Sequence, residues 1–406
     1  MNKSIDDFRR SGHQVVDWIA DYLENPRDLP VLPDMQPGDL VKRLPGSAPE
    51  QGEPMDAILE DFHSLIVPAV THWNHPRFMA YFPSSASPPG VLGEMLSAAL
   101  NTNAIVWKSS PANTELEMVT MGWLRQWLGL PDEFFGIIYD TASMATVHAI
   151  AAAREMADPE THDKGSTRGL TLYTSEQSHS SVEKGAIAVG VGRDNVCKIP
   201  VDAEFGMRVD ALVAAIESDL KAGLRPFCVV GTVGTTSSTG IDPVAEIADV
   251  AEKFGLWFHI DSAYAGSAAI LPELRWILKG AERAHSLVMN PHKWLLTPSD
   301  LSAFFTRRPE ILRRHIEFGQ WVARAVDADP RFERVAPTPF SLVCFRYKGT
   351  DEQNRELLDR INATGKTFLS HTELNGRFVI RFAIGNLGTT QQDIDEIWDL
   401  IQRSAP

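Results

Sequence analysis

Apolar residues recur at helical spacing from the start of the chain: Phe8, Val15, Ile19 and Tyr22 with Leu23 share one face of a predicted helix over 4–24. Asn25-Pro26 stops it. A proline-rich connector (Pro30, Pro33, Pro37, Pro45, Pro49, Pro54) leads to a second apolar-patterned segment at 55–70. Such an arm has nothing local to pack on, so it covers its apolar face either on its own large domain or on another subunit. From about 135 to 305, short apolar runs alternate with helical patterns. Strands are predicted at 136–139, 170–173, 227–232, 256–260 and 286–289, and helices at 146–156, 208–222 and 243–254. This alternation predicts an α/β fold with a mostly parallel, doubly wound sheet, helices on both faces and ligand chemistry at the carboxyl ends of the strands.

Residues 157–169 read as a polar loop. Beyond 315 a helical stretch, strand candidates at 340–347, 366–370 and 377–384, and a closing helix at 390–404 describe a small α/β C-terminal domain. The expected organisation is an N-terminal helical arm (1–75), a large α/β domain (76–314) and the small domain (315–406).

Composition narrows the ligand class. The 406 residues carry 38 Lys+Arg against 53 Asp+Glu, a formal charge of −15 that repels nucleic-acid backbones and anionic membranes and leaves small molecules as partners. Three widely spaced cysteines, Cys197, Cys228 and Cys344, form no C-x-x-C pair and predict neither a disulfide scaffold nor a metal site. The acidic and basic residues of the first thirty positions, and the lack of a long apolar run, predict a cytoplasmic setting.

Two strand ends carry opposite charges. Asp261 follows the run at 256–260, and a carboxylate delivered there needs a cationic partner, because burying an unpaired charge is strongly unfavourable. Lys293 follows the run at 286–289 within Asn290-Pro291-His292-Lys293-Trp294. A lysine in partly apolar surroundings becomes a usable nucleophile toward carbonyls. A cofactor that uses both poles is pyridoxal phosphate, whose aldehyde forms a Schiff base with lysine and whose pyridine nitrogen is held protonated by a carboxylate. Thr141-Ala142-Ser143, between a strand and a helix, suits its phosphate. His179 is a candidate to stack on its ring, and Gly234-Thr235-Thr236 supplies a small turn and a hydroxyl. Taken singly, each has an ordinary reading as a surface lysine, a helix cap or a structural histidine; five together at strand ends of one sheet do not.

The runs His259–Gly266 (HIDSAYAG), 290–296 (NPHKWLL), 178–182 (SHSSV) and 231–236 (GTVGTT), with 73–83, 107–111 and 114–117, resemble the group II pyridoxal-phosphate decarboxylases, and among them the aromatic-L-amino-acid decarboxylases. The resemblance implies a fold type I PLP-dependent enzyme that converts aromatic L-amino acids to arylalkylamines and CO2. It implies that Lys293 binds the aldehyde, that Asp261 pairs with the pyridine nitrogen, and that His179 stacks on the ring and handles protons. Ala142, Ser143 and Asn290 would hold the phosphate, with Thr236, Ala263 and His292 completing the cofactor shell. Trp73, Tyr81 and Phe82, with Ile105 and Trp107 from the other subunit, would line the substrate pocket; the ordinary reading of each is plain core. A homodimer whose N-terminal helices wrap the partner is implied as well.

One stretch departs from the family. Arg314 is followed directly by His315, where the family has a long segment that includes the loop tyrosine reprotonating the substrate carbon and a residue that helps choose the substrate. A natural deletion, an engineered one and an abridged sequence of a longer chain stay open, the unadjusted match of both flanks favouring the last. A change at that tyrosine or at the histidine matching His179 diverts the family's reaction to an aldehyde, so an aromatic aldehyde synthase is the alternative activity.

Overall fold

A computed structural model describes residues 5–82, 84–104, 107–158, 169–308, 321–336, 342–367, 369–383 and 391–406. The chain divides into two compact units, residues 1–101 with 290–301 and residues 102–289 with 302–406.

In the first unit, helix α1 (Ile5–Glu24) is followed by short helical pieces and by α2 (Pro88–Leu100), which Ser87 caps. Trp18 and Tyr22 of α1 stack at 5.3 Å, and Trp18 meets Phe62 edge-on at 4.9 Å. The Tyr22 hydroxyl lies 3.1 Å from Nδ1 of buried His72. This side of α1 therefore packs on 62–72, while Ile5 and Phe8 at its start stay exposed. Residues 290–301 belong to this unit because the Ser87 N–H donates to the Leu296 carbonyl at 3.0 Å and Ser84 meets Ser299 at 2.8 Å. The division thus falls at 101 and isolates 290–301, where the sequence pattern drew boundaries at 75 and 314.

The second unit holds a seven-stranded sheet in the order β1-β7-β6-β5-β4-β2-β3. Its strands are β1 (Phe135–Tyr139), β2 (Leu170–Ser175), β3 (Val196–Ile199), β4 (Arg225–Thr232), β5 (Trp257–Asp261), β6 (Ser286–Met289) and β7 (Ser302–Thr306). Strands β3, β2, β4, β5 and β6 are parallel neighbours; β7 runs antiparallel between β6 and β1. The helices are α3 (Pro111–Leu128), α4 (Ala142–Ala157), α5 (Ser181–Ala188), α6 (Val209–Lys221) and α7 (Val244–Phe254). Strand side chains alternate between faces, so Leu172, Val230 and Trp257 meet α4 and α5 through Ile150, Ala153, Val182 and Ala186. On the opposite face, α6 and α7 cover β4 and β5. Both faces are buried, which is why these strands read as continuous apolar runs.

The rest of this unit is a four-stranded sheet, β10-β11-β9-β8, built from β8 (Phe332–Arg334), β9 (Leu342–Tyr347), β10 (Ser370–Leu374) and β11 (Arg377–Ala383). It has its own core, where Phe345, Leu357, Ile361, Ile380, Trp398 and Ile401 join the sheet to α8 (Asp351–Ala363) and α9 (Gln391–Ser404). The strand predicted at 366–370 begins only at Ser370, because Asn362 bonds both the N–H (2.9 Å) and the carbonyl (3.0 Å) of Leu369 and ties that stretch to α8. The Arg314–His315 junction lies outside the described residues.

Candidate active site

Strand β5 delivers Asp261 to the carboxyl edge of the sheet, where it is 5 % exposed and its Oδ1 accepts the Ala263 N–H at 3.1 Å. Ala263 is itself buried. Asp261 is flanked in register by Thr232 on β4 and Val288 on β6. Thr232 Oγ1 is buried and has no partner among the described residues. Two residues back along β5, on the same face, His259 is completely buried. Burial lowers its pKa to about 4, against the pull of Asp261, so the ring is neutral at pH 7.

The neighbouring strand ends supply donors. After β1, Thr141 caps α4 by accepting the Met144 N–H at 3.3 Å, and the first-turn amides of Ala142 and Ser143 have no acceptor within the helix. Such an N-terminus suits a phosphate. After β4, Gly234 adopts φ +87°, and a Cβ there would stand 2.6 Å from that of Ala265, so glycine is the residue that fits the turn. Thr235 closes it, bonding Ser238 and the Gly240 N–H, each at 2.8 Å, and Thr236 stays exposed. After β2, His179 is exposed; its Nδ1 accepts the Ser181 N–H at 3.2 Å, which puts the neutral ring's proton on Nε2.

In the first unit, Asn290 follows the last residue of β6, is buried, and lies 3.4 Å from His292 Nε2 through its Nδ2. His292 is held at Leu301, whose N–H donates to Nδ1 at 2.9 Å, and burial keeps its pKa below the ordinary histidine value. Lys293 sits half-buried in the short helix Pro291–Trp294, its Nζ 5.3 Å from the centre of the Phe82 ring. Trp73 stacks on Tyr81 at 5.6 Å and meets Phe78 at 4.5 Å. Trp73 and Tyr81 are exposed rather than core residues. In the second unit Trp107 is exposed too, its Nε1 donating to Glu115 at 3.0 Å. Ile105 lies outside the described residues.

Each unit thus gathers part of the predicted set. Asp261 and Ala263 touch, with Ala142, Ser143, His179 and Thr236 at other strand ends of the same sheet; Asn290 meets His292, Lys293 meets Phe82, and Trp73 meets Tyr81. The sequence reading passed over Thr232 and His259, although period-two alternation along β4 and β5 places both on the Asp261 face. Among the described residues no cluster of His, Cys, Asp and Glu could hold a metal, and no helix is long and apolar enough to cross a membrane.

Comparison with known proteins names the class. Residues 37–314 match the pyridoxal-dependent decarboxylase conserved domain, and the chain belongs to that family of PLP-dependent carboxy-lyases. It is 38 % identical to phenylacetaldehyde synthase of Arabidopsis thaliana, over 98 % of this chain and 96 % of that protein. To aromatic-L-amino-acid decarboxylase of Catharanthus roseus it is 37 % identical, over 98 % and 93 %. The crystal structure of Oryza sativa TDC with PLP and tryptamine superposes with a TM-score of 0.72 at 35 % identity, covering 100 % of this chain and 98 % of that one. The alignment with the Arabidopsis protein spans 469 positions against 406 residues here, so at least 63 of them face no residue of this chain.

The residues fit the cofactor. A buried carboxylate, the unpartnered Thr232 hydroxyl, a helix N-terminus with open amides and a glycine turn are the groups that a pyridine nitrogen, a ring and a phosphate would engage.

One pH effect follows from His259. Unfolded, it takes up a proton near pH 6.5; folded, only near 4. The unfolded state therefore binds more protons between these values, and this share of stability is full above pH 6.5 and falls as pH drops, by about 1.4 kcal/mol per pH unit. His259→Gln should remove that share from the pH dependence of urea unfolding, leaving the similar contribution of His285 in place.

Proposed function

We propose that this protein decarboxylates aromatic L-amino acids to arylalkylamines and CO2, with Lys293 and Asp261 as its two indispensable residues. The observation that carries the reading is the buried carboxylate of Asp261 at the end of a central strand, in a chain of this family whose next strand runs on into Asn-Pro-His-Lys. When bound, pyridoxal phosphate supplies an electron sink for the pair left by the departing carboxylate. Lys293 would hold the cofactor through its aldehyde. Asp261 keeps the pyridine nitrogen protonated. Ala142, Ser143 and Asn290 hold the phosphate, and Thr236, Ala263 and His292 complete the cofactor shell. His179 would lie against the cofactor ring and handle a proton with Nε2. Trp73, Tyr81, Phe82, Ile105 and Trp107 receive the aromatic side chain and keep water from a carboxylate that must lose its hydration to leave as CO2.

The 38 % identity to a phenylacetaldehyde synthase favours one second reading, an aldehyde synthase that consumes O2 and water and releases CO2, aldehyde, ammonia and hydrogen peroxide. We place the unmatched positions at Arg314–His315, where the family match ends, so the segment that steers this choice in the family has no counterpart here. The presence of His179 supports simple decarboxylation. Incubating the holoenzyme with phenylalanine, tyrosine and tryptophan and assaying amine and peroxide together separates the two: amine with CO2 and no peroxide supports the first reading, while peroxide in step with CO2 replaces it with the second.

A homodimer accounts for the uncovered apolar faces. Ile5 and Phe8 on α1, Leu92, Leu96 and Leu100 on α2, and Leu116, Val119, Trp123 and Trp127 on α3 are all exposed. On α3 they recur at intervals of three or four, the stripe of a packing face. Replacing Trp123 and Trp127 together by Glu should convert a dimer to monomer in sedimentation velocity; an unchanged dimer would remove α3 from the interface. Cys197, Cys228 and Cys344 are unpaired thiols, which suits a reducing cytoplasm.

A further inference from the structure

Side chains on the α4 face of β5 come in the order Trp257, His259, Asp261. Ser286 is the cross-strand partner of His259 on β6, and its Oγ lies 2.8 Å from His259 Nδ1 and 3.0 Å from Trp257 Nε1. An indole nitrogen only donates, so Ser286 accepts from Trp257. Its hydroxyl proton is then available to His259 Nδ1, the arrangement that places the imidazole proton on Nε2. Nε2 has no partner among the described residues, although the ring is completely buried. A buried ring nitrogen left without a partner is costly. Asp261 stands about 7 Å further along the strand on the same face, and among the described residues it is the charged group that acts on the ring.

We propose that His259 is a positioning residue for Asp261: the chain Trp257–Ser286–His259 favours the Nε2–H tautomer, and that N–H, through one bridging water, orients the carboxylate toward the cofactor's pyridine nitrogen. This rests on the reading of Asp261 as the partner of that nitrogen. His259 touches neither substrate nor cofactor, and its effect passes through Asp261.

Amide substitutions separate this role from structural support. His259→Asn sets an amide where Nδ1 stood and keeps the contact to Ser286, whereas His259→Gln reaches the position of Nε2. With the cofactor dissociation constant read from visible absorbance, and kcat and KM measured on the holoenzyme, His259→Asn should weaken cofactor binding and lower kcat about 10–100-fold, with KM unchanged. His259→Gln should stay within about threefold of wild type, because the donor is restored. Ser286→Ala leaves the imidazole in place and frees its tautomer; it should lower kcat several-fold, and it serves if His259→Asn does not fold. Wild-type behaviour of His259→Asn and Ser286→Ala, or a Gln variant as impaired as Asn, overturns the proposal. Asp261→Asn is the control: if it binds cofactor and turns over like wild type, the reading of Asp261 fails and this inference with it; if it is crippled while His259→Asn is not, this inference alone fails.

Discussion

Lys293→Ala is expected to abolish the visible absorbance of the cofactor-loaded protein and to lower amine production by at least about 10³-fold, as loss of a residue that acts covalently does. Lys293 follows β6 by four residues, in a short helix between buried His292 and exposed Trp294. Its Nζ lies over the Phe82 ring, 5.3 Å from the ring centre. Alanine removes the amine and leaves the Asn290–His292–Leu301 contacts in place. The fold should survive, with a thermal midpoint close to wild type. Addition of a small primary amine should restore part of the turnover, because it supplies the missing nitrogen. Full activity with an unchanged spectrum in the alanine variant would remove Lys293 from the chemistry.

Asp261→Asn should lower kcat by a comparable factor for a different reason. The side chain keeps its shape and an oxygen for the Ala263 N–H, so packing at the end of β5 is preserved. What it loses is the charge that keeps a pyridine nitrogen protonated, and with it the electron sink. A buried carboxylate without its cationic partner is destabilising, so the cofactor-free variant should be as stable as wild type or more so. Loss of activity with retained or raised stability is a signature that a structural role for Asp261 would not give. Urea unfolding and steady-state kinetics on one preparation read both quantities.

Much of this site was legible in the sequence because parallel strands advertise themselves. Runs such as 227–232 and 256–260 are apolar on both faces, and whatever follows them lies at the carboxyl edge, so Asp261 could be located before any coordinates. Pairing direction was not legible. Strand β7 runs antiparallel between β6 and β1, and nothing in Ser-Ala-Phe-Phe-Thr encodes neighbours drawn from distant parts of the chain. Helix α5 was hidden for a local reason: it begins inside the Ser-His-Ser-Ser run and carries Gly185. The aromatic residues show another limit of pattern. Trp73 and Tyr81 could be read as core as well as pocket, and their exposure, 41 % and 72 %, removes the core reading. His259 was in view within the HIDSAYAG run, but its significance lies in an unpartnered nitrogen, which depends on what Ser286 and Trp257 do around it.

The central claim is that this chain is a pyridoxal-phosphate decarboxylase acting through Lys293. Borohydride reduction of the cofactor-loaded wild-type protein, followed by peptide mass spectrometry, tests it most directly. A pyridoxyl adduct on Lys293, one per chain, is the predicted result; an adduct on another lysine, or none, would contradict it.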